Sequence, residues 1–395
     1  MGKPRILIAG AGIGGIVAAL ALLQRGFDVA LYEQAAVLRE LGAGVQISSN
    51  GSRVLRELGL SPAMETIAAS PTHRELRLFN TGQAWRVGEL ANSAERYGSP
   101  YWQVHRGDFH AVLVRALAER ARGAVRTGAR CIGFEQDTDG VTLRLENGEN
   151  ARGDALIGAD GVHSCTRAAL FGDGHATFTG FMAWRGVVPM TRLPERLRQR
   201  HAATWIGPYG HVVTYPLRRG ELLNLVTAVK RDDWLIESWS ETGTHEECRR
   251  DLATFHPDVL AIVDAVDVPY KWAMLGREPL QHWSVGRVSL LGDACHPTLP
   301  FLAQGANMAI EDGMVLARCL EAYDVPEALR RYEAARLDRT SRIVRGSLDA
   351  VAKMHHPQLA NPVHAAEFMD REFAPRVMGA RADWLYGYDA LTVPI

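Results

Sequence analysis

Gly10, Gly12 and Gly15 stand in the run Gly10-Ala11-Gly12-Ile13-Gly14-Gly15, and Glu33 follows 18 residues after the last of them. Glycines at this spacing suit a dinucleotide. The first allows a tight turn, the second lets the backbone approach a pyrophosphate, and the third lets a helix pack closely on a strand. An acid at the position of Glu33 is placed to accept from a ribose hydroxyl. Two further glycine–aspartate pairs follow, Asp160-Gly161 and Gly292-Asp293, the latter leading through Pro297 and Pro300 to Gly305-Ala306-Asn307. An aspartate at a strand end can accept hydrogen bonds from a sugar-alcohol chain. A helix starting near Gly305 would direct free N–H groups and partial positive charge at its neighbour. That charge suits a flavin ring, which becomes negative on reduction, better than a nicotinamide. Each pair also has a plainer reading, an ordinary turn at Asp160 and a helix N-cap at Asp293. His211 and Tyr215 are a different kind of candidate. Four apart on a strand they point to one face, and a histidine titrates near neutral pH, as a general base must. A His–Tyr pair simply packed on a sheet is the alternative.

The elements that must position these residues can be read from pattern. Arg5 to Ala9 is a short apolar run, Ala18 to Leu23 an Ala/Leu-rich helix, and Val29 to Tyr32 a second strand, so the glycines sit in a strand–turn–helix–strand unit. Gly42 to Ile47 reads as a strand entered through glycines, with Asn50 as N-cap of a helix through Leu58. Asp108 would cap a helix over residues 108–121. Strands are expected from Val125 to Glu146 with a hairpin turn at Asp139-Gly140, and again at Ala155 to Ile157. From Phe178 to about Trp272 longer antiparallel strands appear, with helical patterns near 245–265. Val288 to Leu291 then returns to the first texture, and helices over 303–321 and 325–349 follow. The expected division is 1–177 for a nucleotide-binding domain carrying some strands of the other, 178–275 for a sheet-built domain, and 276–395 for a return with closing helices.

At 395 residues the chain exceeds one ordinary core, which also argues for two packed domains. A net charge of -1 gives no basic surface for nucleic acid. Ile16 to Leu23 is far shorter than the ~20 apolar residues of a membrane span, and Met1-Gly2-Lys3-Pro4 leads straight into the first strand. A cytoplasmic protein without membrane association is expected. The five cysteines have no Cys-x-x-Cys spacing and the histidines, His355-His356 included, form no ligand motif, so neither disulfides nor a metal is expected.

Taken in order and at these separations, the three glycine-containing motifs resemble those of the single-component FAD-dependent aromatic hydroxylases, over nearly the whole chain. The resemblance implies an α/β fold in which a Rossmann-type FAD-binding domain is interleaved with an antiparallel-sheet substrate domain, as in p-hydroxybenzoate hydroxylase. It implies FAD as cofactor, NADH or NADPH and O₂ as co-substrates, and oxygen transfer from a flavin C4a-hydroperoxide to a phenolic aromatic acid. Gly10, Gly12, Gly14, Gly15 and Glu33 would hold the ADP half. Asp160 and Gly161 would serve FAD and NAD(P)H. Gly292, Asp293, Pro300, Gly305, Ala306 and Asn307 would line the ribityl chain and ring. Arg106 matches an arginine that contacts the flavin, though it also reads as a surface residue at a helix start. The His211-x-x-x-Tyr215 pattern is similar to that of the 3-hydroxybenzoate and 6-hydroxynicotinate enzymes, where the histidine acts on the substrate hydroxyl. Gln304 matches a glutamine of the 3-hydroxybenzoate enzyme. Gln46 stands where the 6-hydroxynicotinate enzyme has histidine, a departure that favours a salicylate or 3-hydroxybenzoate type of substrate. Arg185 is a candidate partner for a substrate carboxylate, or a structural residue at the domain junction. A second Gly-x-Gly-x-x-Gly is absent, which fits a family whose NAD(P)H binds transiently. The alternative activities are a flavoprotein reductase or dehydrogenase on the same fold, without oxygen insertion, or a 6-hydroxynicotinate type of hydroxylase. The protein is expected to be a monomer or homodimer.

Overall fold

The computed structural model describes residues 2–38, 43–172, 174, 176–231 and 241–395; Gly42 lies outside them. Arg5–Ala9 is buried on both faces along almost its whole length, as a near-continuous apolar run requires of a parallel strand. It pairs in parallel with Asp28–Tyr32 on one side and Ala155–Gly158 on the other. Val288–Leu290 and Val125–Arg126 extend the sheet in parallel, and Ser284–Val285 adds an antiparallel edge. Because the chain leaves Arg5–Ala9 toward one side and later returns on the other, the strand order reverses between Ala9 and Gly158. That switch point opens a crevice at the carboxyl edge of the sheet.

The helix Ile13–Gln24 is buried on all sides over its first ten residues, which explains its lack of a polar stripe. It packs against Gly305–Ala322 so closely that a Cβ on Gly313 would lie 2.8 Å from the Ala18 nitrogen. A three-stranded antiparallel sheet (Cys131–Gln136, Val141–Leu145, Asn150–Gly153) flanks the parallel one.

The second large sheet has seven strands in the order Tyr270–Gly276, Thr177–Pro189, Leu222–Lys230, Gly210–Leu217, Ala202–Gly207, His73–Leu78 and Ala84–Glu89. All pairings are antiparallel except that of Ala202–Gly207 with His73–Leu78. A small ribbon, Gly44–Ile47 with Trp102–His105, lies between the two large sheets in sequence. The helices His245–Asp251 and Pro257–Ala265 contribute to the apolar cluster that includes Trp184, Trp205 and Leu225. No helix among the described residues is long and apolar enough to cross a membrane.

Several local expectations shift. The helix at Asn50 is Ser49–Glu57 with Ser48 as N-cap, which leaves Asn50 inside the first turn with its amide free for a distant partner. Asp108 likewise lies inside the first turn, because the helix begins at Arg106. Val125–Arg126 joins the parallel sheet, while the hairpin around Asp139-Gly140 connects the next two strands. Val325–Met354 runs five residues past the expected end, and Pro362–Glu372 and Pro375–Tyr386 follow it.

Candidate active site

The glycine turn lies at the switch point. Gly10 has φ +102°, and a Cβ there would meet the Ala159 carbonyl oxygen at 2.3 Å; one on Gly15 would meet the Gly10 carbonyl oxygen at 2.1 Å. Gly14 is closed in by Leu291 and Ala309. Gly12 differs from all three, since a Cβ on it would meet nothing within 4 Å. It is the N-cap of Ile13–Gln24 and no side chain caps that helix, so the first-turn N–H groups have no internal acceptor. This is an open cradle of backbone donors, which fits a pyrophosphate. Glu33 holds the cradle from beside: one carboxylate oxygen accepts from Ala11 N and the other from Ala35 N, both at 2.8 Å.

The other two strand ends converge on the same edge. Gly161 and Gly292 both have positive φ, which turns the chain sharply after each strand. Asp293 is exposed at the crevice. Asp160 is directed otherwise. Its carboxylate accepts from the Ser164 hydroxyl and from Thr166 N and Oγ1 at 3.0 Å, so it ties down the start of the helix Cys165–Phe171.

Behind Gly292-Asp293 lies a buried ionic network that the motifs did not announce. Asp312 accepts from Gly292 N (3.1 Å), His296 Nε2 (2.6 Å) and Arg336 Nε (2.8 Å). Its neighbour Glu311 is paired with Arg336 at 2.7 Å and Arg339 at 2.8 Å. Burial pushes both carboxyls up, yet Arg339 and Arg336 hold Glu311 below its usual range, and His296 followed by Arg336 does the same for Asp312. Asn50 extends this network, donating to Glu311 at 2.6 Å and to Gln304 Oε1 at 3.0 Å. Gln304 in turn donates to Ser48 Oγ at 3.1 Å and is 1% exposed. Its amide is thus spent inside the protein rather than presented to a substrate, because Asn50 and Ser48 satisfy both its ends. Asn307 is used similarly. It donates to Gln46 O and Ala303 O, both at 2.9 Å, and accepts from Ser48 N at 3.0 Å. These bonds hold Ala303 in the left-handed region (φ +54°), a turn that aims the N-terminus of Gly305–Ala322. Gly305, Ala306 and Asn307 therefore present first-turn N–H groups, while Pro300 is an exposed residue of the turn before them. The sequence signal for the network was available as an acidic pair inside an apolar helix and arginines at 336 and 339, spacing that suits one buried face.

The seven-stranded sheet supplies the opposite wall. His211 and Tyr215 share a face of Gly210–Leu217 and both are buried. His211 Nδ1 lies 2.8 Å from Nε2 of His355, the residue that caps the helix Val325–Met354. Phe301 packs edge-on to His211, and Phe181 to His355. Burial among these rings, reinforced by His355, holds His211 well below its ordinary value; burial brings His355 down to about 4. Both rings are neutral at pH 7. Tyr215 is pushed up by burial and lies against Gly44, where a Cβ would come within 2.5 Å of its ring. Gln46 accepts from the Tyr101 hydroxyl at 2.7 Å. Arg185 lies on the sheet with its guanidinium over Tyr270 and Trp272, and burial followed by the charge of Arg106 lowers it to about 10. Arg106 opens its helix, its N–H bonded to Ala43 O at 2.9 Å.

The FAD binding domain family matches residues 3–347 of the chain. The 3-amino-4-hydroxybenzoate 2-monooxygenase of Streptomyces platensis is 38% identical over 99% of this chain and 98% of its own length. The chain belongs to the single-component FAD-dependent aromatic hydroxylases. The 3-hydroxybenzoate 6-hydroxylase of Polaromonas naphthalenivorans is 36% identical over 97% of this chain and 96% of that enzyme. Klebsiella pneumoniae HpxO, solved with FAD and uric acid, superposes with a TM-score of 0.84 at 29% identity, covering 97% of each chain. The hydroxylase is therefore an FAD-dependent monooxygenase with the interleaved α/β architecture of its family. The open cradle at Gly12, the two first turns without side-chain caps and the exposed Asp293 suit the pyrophosphate, ring and ribityl chain of that cofactor.

Proposed function

We propose that this hydroxylase acts on a phenolic aromatic acid of the salicylate or 3-hydroxybenzoate type, using NADH or NADPH as electron donor. The names of its relatives support the substrate class, since two act on hydroxybenzoates. The observation that carries the reading is the neutral His211, buried beside aromatic rings with one nitrogen bonded to His355. Bound FAD would supply the oxygen chemistry, with two electrons from NAD(P)H, one atom of O₂ going to an electron-rich ring and the other leaving as water. What the protein adds is control of a proton and exclusion of water.

An imidazole that accepts at Nε2 must carry its proton at Nδ1, and His355 Nε2 is placed to receive that N–H. The pair thereby sets the tautomer that directs a lone pair at a phenol. A base this weak leaves the phenol protonated at rest. As the ring gives up electron density its hydroxyl becomes more acidic, and the proton crosses to Nε2 during the reaction. Phe181 and Phe301 keep the pocket dry, which protects the activated oxygen from loss to water. Tyr215 forms the wall beside this site. Glu33, Asp293 and the first-turn N–H groups hold the cofactor, whereas Asp160, Gln304 and Asn307 act by ordering the loops around it.

A panel of hydroxybenzoates and hydroxypyridines, assayed for stimulated NADH and NADPH oxidation with oxygen uptake, tests the proposal. A hydroxybenzoate should accelerate both and gain one oxygen by mass spectrometry. Stimulation confined to uncharged rings, or equal turnover without oxygen, would refute it.

A further inference from the structure

The sheet face that carries the histidine also carries Arg74, which with Arg381 of a nearby helix has no carboxylate partner among the described residues. Arg74 stands opposite Ala202 on the neighbouring strand, and one further step in register brings Ala202 level with Tyr215. Directly opposed residues project from the same face, so Arg74, Tyr215 and His211 share it. Ala202 and Tyr215 indeed pack in one apolar cluster. Arg74 Nη2 lies 3.0 Å from the Tyr101 hydroxyl and 3.4 Å from that of Tyr386. Tyr101 spends its own proton on Gln46, in the ribbon that reaches the flavin side. Arg381, on the helix Pro375–Tyr386, is close enough to Arg74 for the two charges to oppose each other.

Each guanidinium is half-buried, and among the described residues neither meets a carboxylate: Arg74 bonds to the Tyr101 and Tyr386 hydroxyls, which favour its charge, and Arg381 to the Met378 sulfur. Asp383 on the same helix is taken by Arg96 at 2.7 Å and Tyr97 at 2.9 Å. Glu75 is paired with Arg77 at 2.8 Å and lies on the other face of the strand.

We infer that Arg74, backed by Arg381 and flanked by the Tyr101 and Tyr386 hydroxyls, binds the carboxylate of the aromatic substrate. The inference rests on the aromatic-acid reading above and deepens it. A guanidinium fork matches a carboxylate in plane and charge, and the aromatic edges beside it accept a flat ring. With the acid held there, the ring extends along the face toward His211. Carboxylate recognition and proton acceptance then fall on different strands of one sheet. Arg185 is thereby relieved of that role, its charge already lying over Tyr270 and Trp272.

Calorimetric titration of the FAD-loaded enzyme with benzoate and with benzamide tests the site apart from catalysis. Benzoate should bind the wild type more tightly than benzamide. Arg74→Gln should weaken benzoate about 10- to 100-fold, the range for a hydrogen bond to a charged group, and leave benzamide within about twofold. Arg381→Gln should weaken benzoate less, and Arg74→Lys should fall between wild type and Arg74→Gln. Retained flavin absorbance reports folding; if Arg74→Gln fails to hold FAD, the other two variants carry the test. Unchanged benzoate affinity in the variants, equal loss of benzamide, or a loss seen in Arg185→Gln instead would overturn the assignment. Arg74-dependent benzoate binding in an enzyme that oxygenates no aromatic acid would support the anion site and refute the proposed reaction.

Discussion

Replacing His355 separates a positioning role from mere packing. Among the described residues the ring makes one hydrogen bond, to His211 Nδ1 at 2.8 Å, and its other nitrogen is buried without a partner. His355→Leu removes the acceptor and leaves the His211 N–H stranded in a dry pocket, a penalty of about 1–3 kcal/mol for a buried unsatisfied donor. Two outcomes share that penalty. The ring can rotate or change tautomer to find another partner, and either change turns the lone pair away from the substrate. If the whole penalty falls on the productive tautomer, kcat drops about 5- to 150-fold at 1.36 kcal/mol per tenfold. His355→Gln supplies an amide oxygen near the lost acceptor and should recover most of the rate. The assay is steady-state oxygen uptake on the best substrate of the panel, with FAD affinity measured alongside by fluorescence. FAD affinity should stay within about twofold, since His355 is on the substrate side and the glycine cradle is untouched. A His355→Leu enzyme within twofold of wild type, or a His355→Gln enzyme as slow as it, would refute the reasoning.

Three other perturbations probe the remaining parts. Gly12→Ala places a methyl in open space at an N-cap, so apo stability should fall by no more than about 1 kcal/mol while FAD affinity falls; Gly15→Ala, aimed at a carbonyl oxygen 2.1 Å away, should fail to fold, and equal behaviour of the two in thermal melts and FAD titrations would contradict the cradle. Arg336→Met strands part of the charge on Glu311 and Asp312, and denaturant unfolding should show a loss of about 3–5 kcal/mol; a neutral result would mean Arg339 and His296 suffice. The third concerns acid. His355 sits at about 4 when folded against 6.5 when free, so the unfolded chain binds the extra proton between those values, and the stability from its burial is full above pH 6.5 and lost as pH falls toward 4. Those 2.5 units correspond to about 3 kcal/mol, so the stability of wild type relative to His355→Gln should decline by about that much between pH 7 and 4 in urea titrations, and a constant difference across the window would exclude it.

Determined within short stretches of sequence were the glycine turn, the three strand ends and the face shared by His211 and Tyr215. Each depends on bonds a few residues long or on strand period, so residue type and spacing suffice. Partners across the fold were decided only by tertiary structure. His355 is 144 residues from His211, and Glu311 reaches Asn50 over 261. Gln304 sits in the loop where it was expected, yet its amide points inward, because Ser48 and Asn50 from an earlier helix start meet it there. Asp160 likewise turned to its own following helix. Arg74 carries no motif at all; its place on the face of Tyr215, two strands away, follows from two strand registers, and among the described residues it has no acid because Asp383 and Glu75 are paired elsewhere. Pattern reports which face a side chain takes, since that is set by the local backbone. It is silent on what that side chain meets, since any of several hundred residues can be brought opposite once the chain is packed.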